Sequence, residues 1–307
     1  MRKFTLFVIS LFLVSTLTFF LMKSIPGDPF MQEQAVPEEI LQSLHAHYGL
    51  NQPLHVQYIK YIKGLLTFDF GPSFIYEGRT TNDIIREGFP ISCMLGLFAL
   101  FIAITIGVSL GSIAALFRTK WQDTTAMILA VMGMSIPSFI FATFLQYIFA
   151  MKLAILPIAR WGTFSHIILP SLALAAFPTA FIARLTRANM VEVLEKDYIL
   201  TAYAKGLSTA KIVFFHVLKN SLLPVVSYLG TLSASILTGS FVVEKIFGIP
   251  GLGGWFVSSI ANRDYTIIMG LTVFYCFLVN IANLISDLLY FFMDPRIRTE
   301  YRHRAHV

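Results

Sequence analysis

Apolar residues arrive in six long blocks, near residues 4–22, 91–117, 126–151, 167–183, 222–243 and 267–292. Each is close to the roughly 20 residues that carry a helix across about 30 Å of hydrocarbon. Inside lipid only a helix or a closed barrel satisfies its own backbone. This feature outweighs all others and predicts an all-α polytopic membrane protein with six transmembrane helices. Composition agrees. Hydrophobic residues make up 56% of the 307 and charged residues 13%, whereas a soluble domain carries about 25% charged. The fourth block is the shortest and is interrupted by Pro170 and Pro178, while Pro137 and Pro224 fall in or beside the third and fifth. Prolines are tolerated in lipid where neighbouring groups take up the freed carbonyls. The first block follows Met1-Arg2-Lys3, as a secretory signal would. It is nearly span-length, however, and Lys23-Ser24-Ile25-Pro26 offers no small-x-small cleavage site, so it reads as an uncleaved first span.

Six spans place both termini on one side. The N-terminal stub, loops 118–125 and 184–221 and the tail 293–307 hold 14 Lys and Arg; the opposite loops hold 9. Five of those nine lie in loop 23–90, which is too long to count fully, and without it the ratio is 14 to 4. The excess marks the cytoplasmic side, so both termini are expected there. Topology also accounts for the net charge of +6, and no nucleic-acid partner is implied. The layout is then a stub and first helix over 1–22, a large external loop over 23–90, and a core over 91–307. The external loop carries eight acids, which a solvated face explains, and is large enough to form a small cap. Within it Pro37-Glu38-Glu39 opens a short helix through Leu41 and Leu44, with proline in the first turn. Cys93 and Cys276 fall in or beside apolar blocks with no CxxC, so no disulfide is expected.

Nucleotide-cradling and zinc-hydrolase motifs are missing. There is no G-x-x-x-x-G-K-[ST] and no H-E-x-x-H. His45 and His47 are two apart, and residues two apart do not share a helix face, so they read as solvated loop histidines. The chain is expected to have no catalytic residue, no metal site and no cofactor of its own. Among groups in lipid, Asn280, Asn283 and Asp287 stand at helical spacing on one face. They read either as a pathway or gate stripe or as helix–helix hydrogen bonding, with Asp287 paired to an arginine of the tail. Pro137, Pro178 and Pro224 are hinges or static kinks. The run Gly248–Gly254, with Gly248, Pro250, Gly251 and Gly253, suits a turn re-entering the external membrane face, or an ordinary connection.

Loop 184–221 is the most informative segment. Met190, Leu194, Tyr198 and Ala202 recur every four residues as one amphipathic stripe. Gly206 then ends the helix as a C-terminal cap, and Ser208 caps a second helix from about Thr209, with Pro224 opening the fifth span. The result is a helix–turn–helix on the membrane surface whose turn carries the small residues Ala202, Ala204 and Gly206. It is either an element parked in lipid headgroups or a docking element for a cytoplasmic partner.

At this loop a family resemblance becomes specific. Thr201-Ala202-Tyr203-Ala204-Lys205-Gly206-Leu207-Ser208, then His216-Val217-Leu218-Lys219-Asn220 and Leu223-Pro224, resembles the EAA loop of ABC-importer permeases, in the form used by the oligopeptide/dipeptide branch. Against the general pattern E-A-A-x3-G-x9-I-x-L-P, Leu200 stands at the glutamate, Thr201 at the first alanine, His216 at the isoleucine and Lys219 at the proline; Ala202, Gly206 and Leu218 match. The peptide branch shares these departures. The segments Thr16–Phe20, Ile25–Pro29, Tyr48–Leu54 and Phe68–Ser73 (with Phe68 in place of an expected glycine) resemble the same branch. So do Phe247–Gly253, Arg263–Tyr265 and Tyr290–Arg296, all in order along almost the whole chain.

The resemblance implies a type I ABC-importer permease-like bundle in a bacterial inner membrane, forming half of a translocation pathway and bounded by membrane lipid. It implies a second homologous permease subunit, two cytoplasmic ABC ATPases holding ATP and Mg, and an extracytoplasmic peptide-binding protein. Thr201 through Ser208 would be the coupling segment that sits on an ATPase, and the cargo would be short peptides. Nickel, glutathione or another small solute on the same architecture is an alternative, and so is a stand-alone secondary transporter using Asp287.

Overall fold

The computed structural model describes residues 2–30, 37–237 and 239–293. In chain order the helices are α1 (Arg2–Ser24), α2 (Glu38–Tyr48), α3 (Leu54–Leu66), α4 (Thr81–Leu116), α5 (Trp121–Ser135) and α6 (Ser138–Leu145), the last prolonged by a π-helical turn, Gln146–Lys152. There follow α7 (Ser165–Leu194), α8 (Asp197–Ala204), α9 (Thr209–Ile212), a π-helical turn Val213–Val217, and α10 (Leu218–Ser221). The chain continues through α11 (Leu223–Leu237), α12 (Phe241–Phe247), α13 (Leu252–Ala261) and α14 (Tyr265–Met293). Among the described residues the sole β-type pairing is an isolated bridge, Pro72 to Thr80.

By length and composition α1, α4, α7 and α14 can each cross a membrane; the count reaches six if two bent pairs are each taken as one span. The bends correct the reading of blocks three and five as plain spans. In the third, α5 and α6 meet at 106°. Ile136 is extended, as a residue before proline prefers, and Pro137 therefore opens α6 instead of lying inside a helix. In the fifth, the segments Thr209–Ser221 and Leu223–Leu237 meet at 52°, and the helix ends at Leu237, short of 243. Gly239 turns the backbone at φ 87°, and Ser240 Oγ accepts from Val243 N to cap α12.

Two other boundaries also moved. α4 begins at Thr81, well before its apolar block, because Thr80 and Asp83 cap each other: Asp83 Oδ2 accepts from Thr80 N at 3.0 Å, and Thr80 Oγ1 accepts from Asp83 N at 3.2 Å. α7 runs through Pro170 and Pro178, both buried, and on to Leu194, so the start of the supposed loop 184–221 is its last turns. Pro37 sits at the N-cap of α2, one place before the first turn.

The chain divides into two compact units, one of Met1–Cys93 with Pro250–Asn280, the other of Met94–Ile249 with Ile281–Val307. In the first, Ile84, Leu252, Ile267 and Leu271 form a buried core. α3 lies along α1 there: Tyr58 hydroxyl bonds Thr16 Oγ1 at 2.8 Å, and the Phe19 ring meets those of Tyr58 and Tyr61 at 5.3 and 5.6 Å. In the second unit Ala99 and Ala103 of α4 pack with Ala175 and Ile182 of α7 and Val225, Leu232 and Ile236 of α11. Close approach explains the small residues. A Cβ at Gly107 would stand 2.8 Å from Ile182 Cγ2, one at Gly111 would press on the Ala183 carbonyl, and one at Gly133 would stand 2.8 Å from Ala176 O. Helices in lipid gain little from burying apolar surface against one another, so backbone proximity at small residues is what holds them.

Candidate functional site

The second unit presents one well-anchored, outward-facing turn. α7 ends at Glu195, and Lys196 is extended at φ −78°, ψ 143°, which breaks the helix before α8. The break rotates the register. Met190 and Ala202 are buried as the four-residue stripe required and Leu194 packs against the same core, but Tyr198 is 42% exposed and Ile199 is fully buried in its place. Ile199 and Ala202 join Met190, Ile212, Val213, Val217 and, from α4, Ala115 in one apolar cluster. Tyr198 is used at its tip, where its hydroxyl accepts from Asn220 Nδ2 at 2.9 Å.

α8 closes as its glycine requires. Gly206 adopts φ 77°, a conformation a side chain strains to reach, while Gly206 N donates to Tyr203 O at 2.9 Å and Leu207 N to Ala202 O at 3.3 Å. Ser208 takes the extended N-cap backbone of α9, but its side chain makes no capping bond, which corrects that part of the expectation. Thr201, Tyr203, Ala204, Lys205, Gly206 and Ser208 are exposed, Leu207 is half-buried, and nothing lies within 4 Å of a Cβ built on Gly206. The eight residues of the proposed coupling segment thus form a turn with apolar feet at Ala202 and Leu207, both packed on that cluster, and an open outer face.

Ion pairs tie the connection between α4 and α5 to the end of α7. Arg187 of α7 donates from Nε to Asp123 Oδ1 at 2.6 Å and from Nη2 to Asp123 Oδ2 at 2.7 Å, and the latter oxygen also accepts from Thr119 N. Arg118 Nη1 reaches Glu195 Oε1 at 2.5 Å. Residues 118–123 are therefore strapped to the end of α7 where α8 departs. The bidentate pair, with Asp123 buried, carries the strap; the exposed Arg118–Glu195 pair adds little. Glu192, 2.9 Å from Lys196 Nζ, raises that ammonium's pKa by its hydrogen bond.

The other sequence candidates are scattered. Asn280, Asn283 and Asp287 share the single helix α14. Asn280 donates to Cys276 O at 2.8 Å and accepts from Ser10 Oγ at 3.3 Å, a helix–helix bond to α1. Asn283 and Asp287 are exposed, and the tail arginines lie outside the described residues. Pro137 and Pro224 stand at the two bends, whereas Pro178 lies inside unbroken α7. Gly248, at φ 60°, caps α12, with Ile249 N donating to Glu244 O at 2.8 Å. Gly251 is the N-cap of α13, Gly253 is buried in that helix's first turn, and Pro250 lies between the two helices. His45 is on α2, its Nε2 2.5 Å from Asp28 Oδ2.

One site escaped the sequence reading altogether. Asp264 is fully buried in the first unit. Its Oδ2 accepts from Ser73 Oγ at 2.5 Å and Ile75 N at 3.3 Å, and its Oδ1 from Ile267 N at 3.3 Å, capping α14. Two separate family-like segments, Phe68–Ser73 and Arg263–Tyr265, thus meet at one carboxylate. Within the first segment Phe68 has φ 56°, the left-handed backbone for which a glycine is the ordinary choice.

Residues 107–299 match the family described as binding-protein-dependent transport system inner membrane component, and residues 1–71 match the N-terminal family of such membrane components. The chain belongs to this family. As a binding-protein-dependent permease it is a multi-pass inner-membrane protein, set apart from stand-alone carriers. This permease is 52% identical over 297 residues to the dipeptide transport system permease protein DppB of Bacillus subtilis (strain 168), covering 97% of this chain and 96% of that one. It is 45% identical over 292 residues to the oligopeptide transport system permease protein OppB of Escherichia coli (strain K12), covering 94% and 95%. Among solved structures, the crystal structure of an amino acid ABC transporter with histidines shares the fold, with a TM-score of 0.52 at 16% identity over 68% of this chain and 94% of the other.

Proposed function

We propose that this permease forms one half of the translocation pathway of an ATP-driven importer for short peptides. Its partners are a second homologous permease subunit, two cytoplasmic ATPases that hold ATP and Mg, and an extracytoplasmic peptide-binding protein. Both termini and the α8 turn face the cytoplasm, and the chain itself hydrolyses nothing. The observation that carries this reading is the α8 turn, exposed on its outer face and rooted by Ile199 and Ala202 in the core shared by α4, α7 and the Val213–Val217 turn. The full-length likeness to DppB and OppB supports the peptide cargo.

Closure of the ATPases on ATP pulls the turn from Thr201 to Ser208. The apolar foot passes that force to α7, and the Asp123–Arg187 pair passes it to α5. The bends at Pro137 and Pro224 then serve as hinges for a rigid-body rearrangement between inward-open and outward-open states; Pro178, in an unbroken helix, is the weaker hinge. The test is reconstitution of all five subunits in proteoliposomes with di- and oligopeptides. Peptide and binding protein together are expected to stimulate ATP hydrolysis and uptake. Gly206→Trp, whose added Cβ meets nothing within 4 Å among the described residues although the left-handed backbone there strains any side chain, is expected to insert and to abolish uptake while basal hydrolysis persists. Uptake at the wild-type rate in that variant would sink the coupling assignment.

A further inference from the structure

An apolar groove of about 510 Å³ runs between α1, α3 and α14 within the first unit. Leu11 and Phe12 of α1, Leu65 of α3 and Phe274 of α14 form its walls, and Arg86 of α4 is the only charged one among the described residues lining it. The two neutral polar side chains on the wall are already engaged. Asn82 accepts from Phe70 N at 2.9 Å and donates to Phe68 O at 2.6 Å, and Ser15 Oγ donates to Leu11 O at 2.7 Å. Arg86 is exposed, and no described carboxylate stands within ion-pair distance of it: Glu87 pairs with Arg79 at 3.0 Å, and Asp83 accepts from Thr80. At the end of α3 Leu66 is 78% exposed and, just beyond it, Phe68 is 69% exposed, which makes the rim apolar as well.

The occupant this groove fits is a hydrocarbon chain attached to an anion. We propose that it binds one anionic glycerophospholipid, an acyl chain lying along α1 and the phosphate held by Arg86. Chemistry separates it from an extended peptide, whose backbone groups would find no free partner on these walls. A guanidinium beside an apolar channel is the arrangement that holds a phosphate with its chain. The site is independent of the cargo.

The test uses the whole transporter complex, stripped in detergent, re-exposed to phosphatidylglycerol or phosphatidylcholine, and weighed by native mass spectrometry. One retained phosphatidylglycerol per copy of this chain is expected, with phosphatidylcholine washed away. Arg86→Gln is expected to lower retention roughly tenfold, the loss of one charge-assisted contact, and Arg86→Lys to keep most of it. Leu11→Trp, which fills the groove and leaves the charge, is expected to expel the lipid. Equal retention by wild type and Arg86→Gln, or equal retention of the two lipids, would overturn the proposal. So would a Val8→Cys variant that crosslinks to another subunit across a lipid-free groove.

Discussion

The junction at Asp264 and the turn at Gly206 both join two helices through a few residues, and they are held by opposite means. At Asp264, between α13 and α14, the groups that fix the chain are polar and buried: one carboxylate receives Ser73, Ile75 and Ile267. At Gly206, between α8 and α9, no side chain caps the second helix, and the anchors are apolar, Ile199 and Ala202. Buried directional bonds leave a junction one geometry. An apolar foot lets a turn be carried as a piece while its outer face stays free for another surface. The first holds a frame; the second, on the proposed function, is the turn an ATPase pulls.

That contrast can be broken at either end. The largest effect is expected from Asp264→Ala, which strands a buried hydroxyl and the first turn of α14 without an acceptor. A cost of about 3 kcal/mol follows from the desolvated donors left unpaired, read as a collapse of the thermal midpoint of the detergent-solubilised protein. Asp264→Asn keeps one acceptor oxygen and should recover part of it. Ile199→Ala comes next, at about 2–3 kcal/mol for an emptied core site; it should lower the thermal midpoint and also loosen coupling, because the foot of α8 is gone. Equal uptake per hydrolysed ATP in that variant would remove the apolar foot from the force path. The smallest is Asp123→Asn, at about 1 kcal/mol, since Arg187 remains partly solvated. Its stability should barely change while uptake per ATP falls; a matching fall in both would make the pair purely structural.

The sequence reading located the helical blocks, because hydrocarbon leaves a chain few choices, and it located the turn at Gly206 and the N-cap position of Ser208, because both are local backbone signals. It placed Tyr198 in the core where Ile199 sits, since a four-residue stripe assumes an unbroken helix and the break at Glu195–Lys196 is not written in any proline or glycine. It missed the early start of α4 although Thr80 and Asp83 carry a reciprocal cap in plain view. Pro137 and Pro224 were visible as interruptions, but the 106° and 52° bends depend on what each flanking helix packs against. Gly107 and Gly111 are ordinary glycines until α7 lies across them. Asp264 and Ser73 are separated by 191 positions, and no periodicity joins them. Local conformation was legible, and contacts between distant segments were not.

On the proposed function the outer face of α8 meets an ATPase. A cysteine placed there, Tyr203→Cys, in a chain freed of Cys93 and Cys276, tests it in the assembled transporter with a short bifunctional thiol reagent. A crosslink from position 203 to the ATPase subunit is expected, with a yield that changes when ATP is added. Free labelling of that cysteine in the intact complex, with no ATPase crosslink in either nucleotide state, would contradict it.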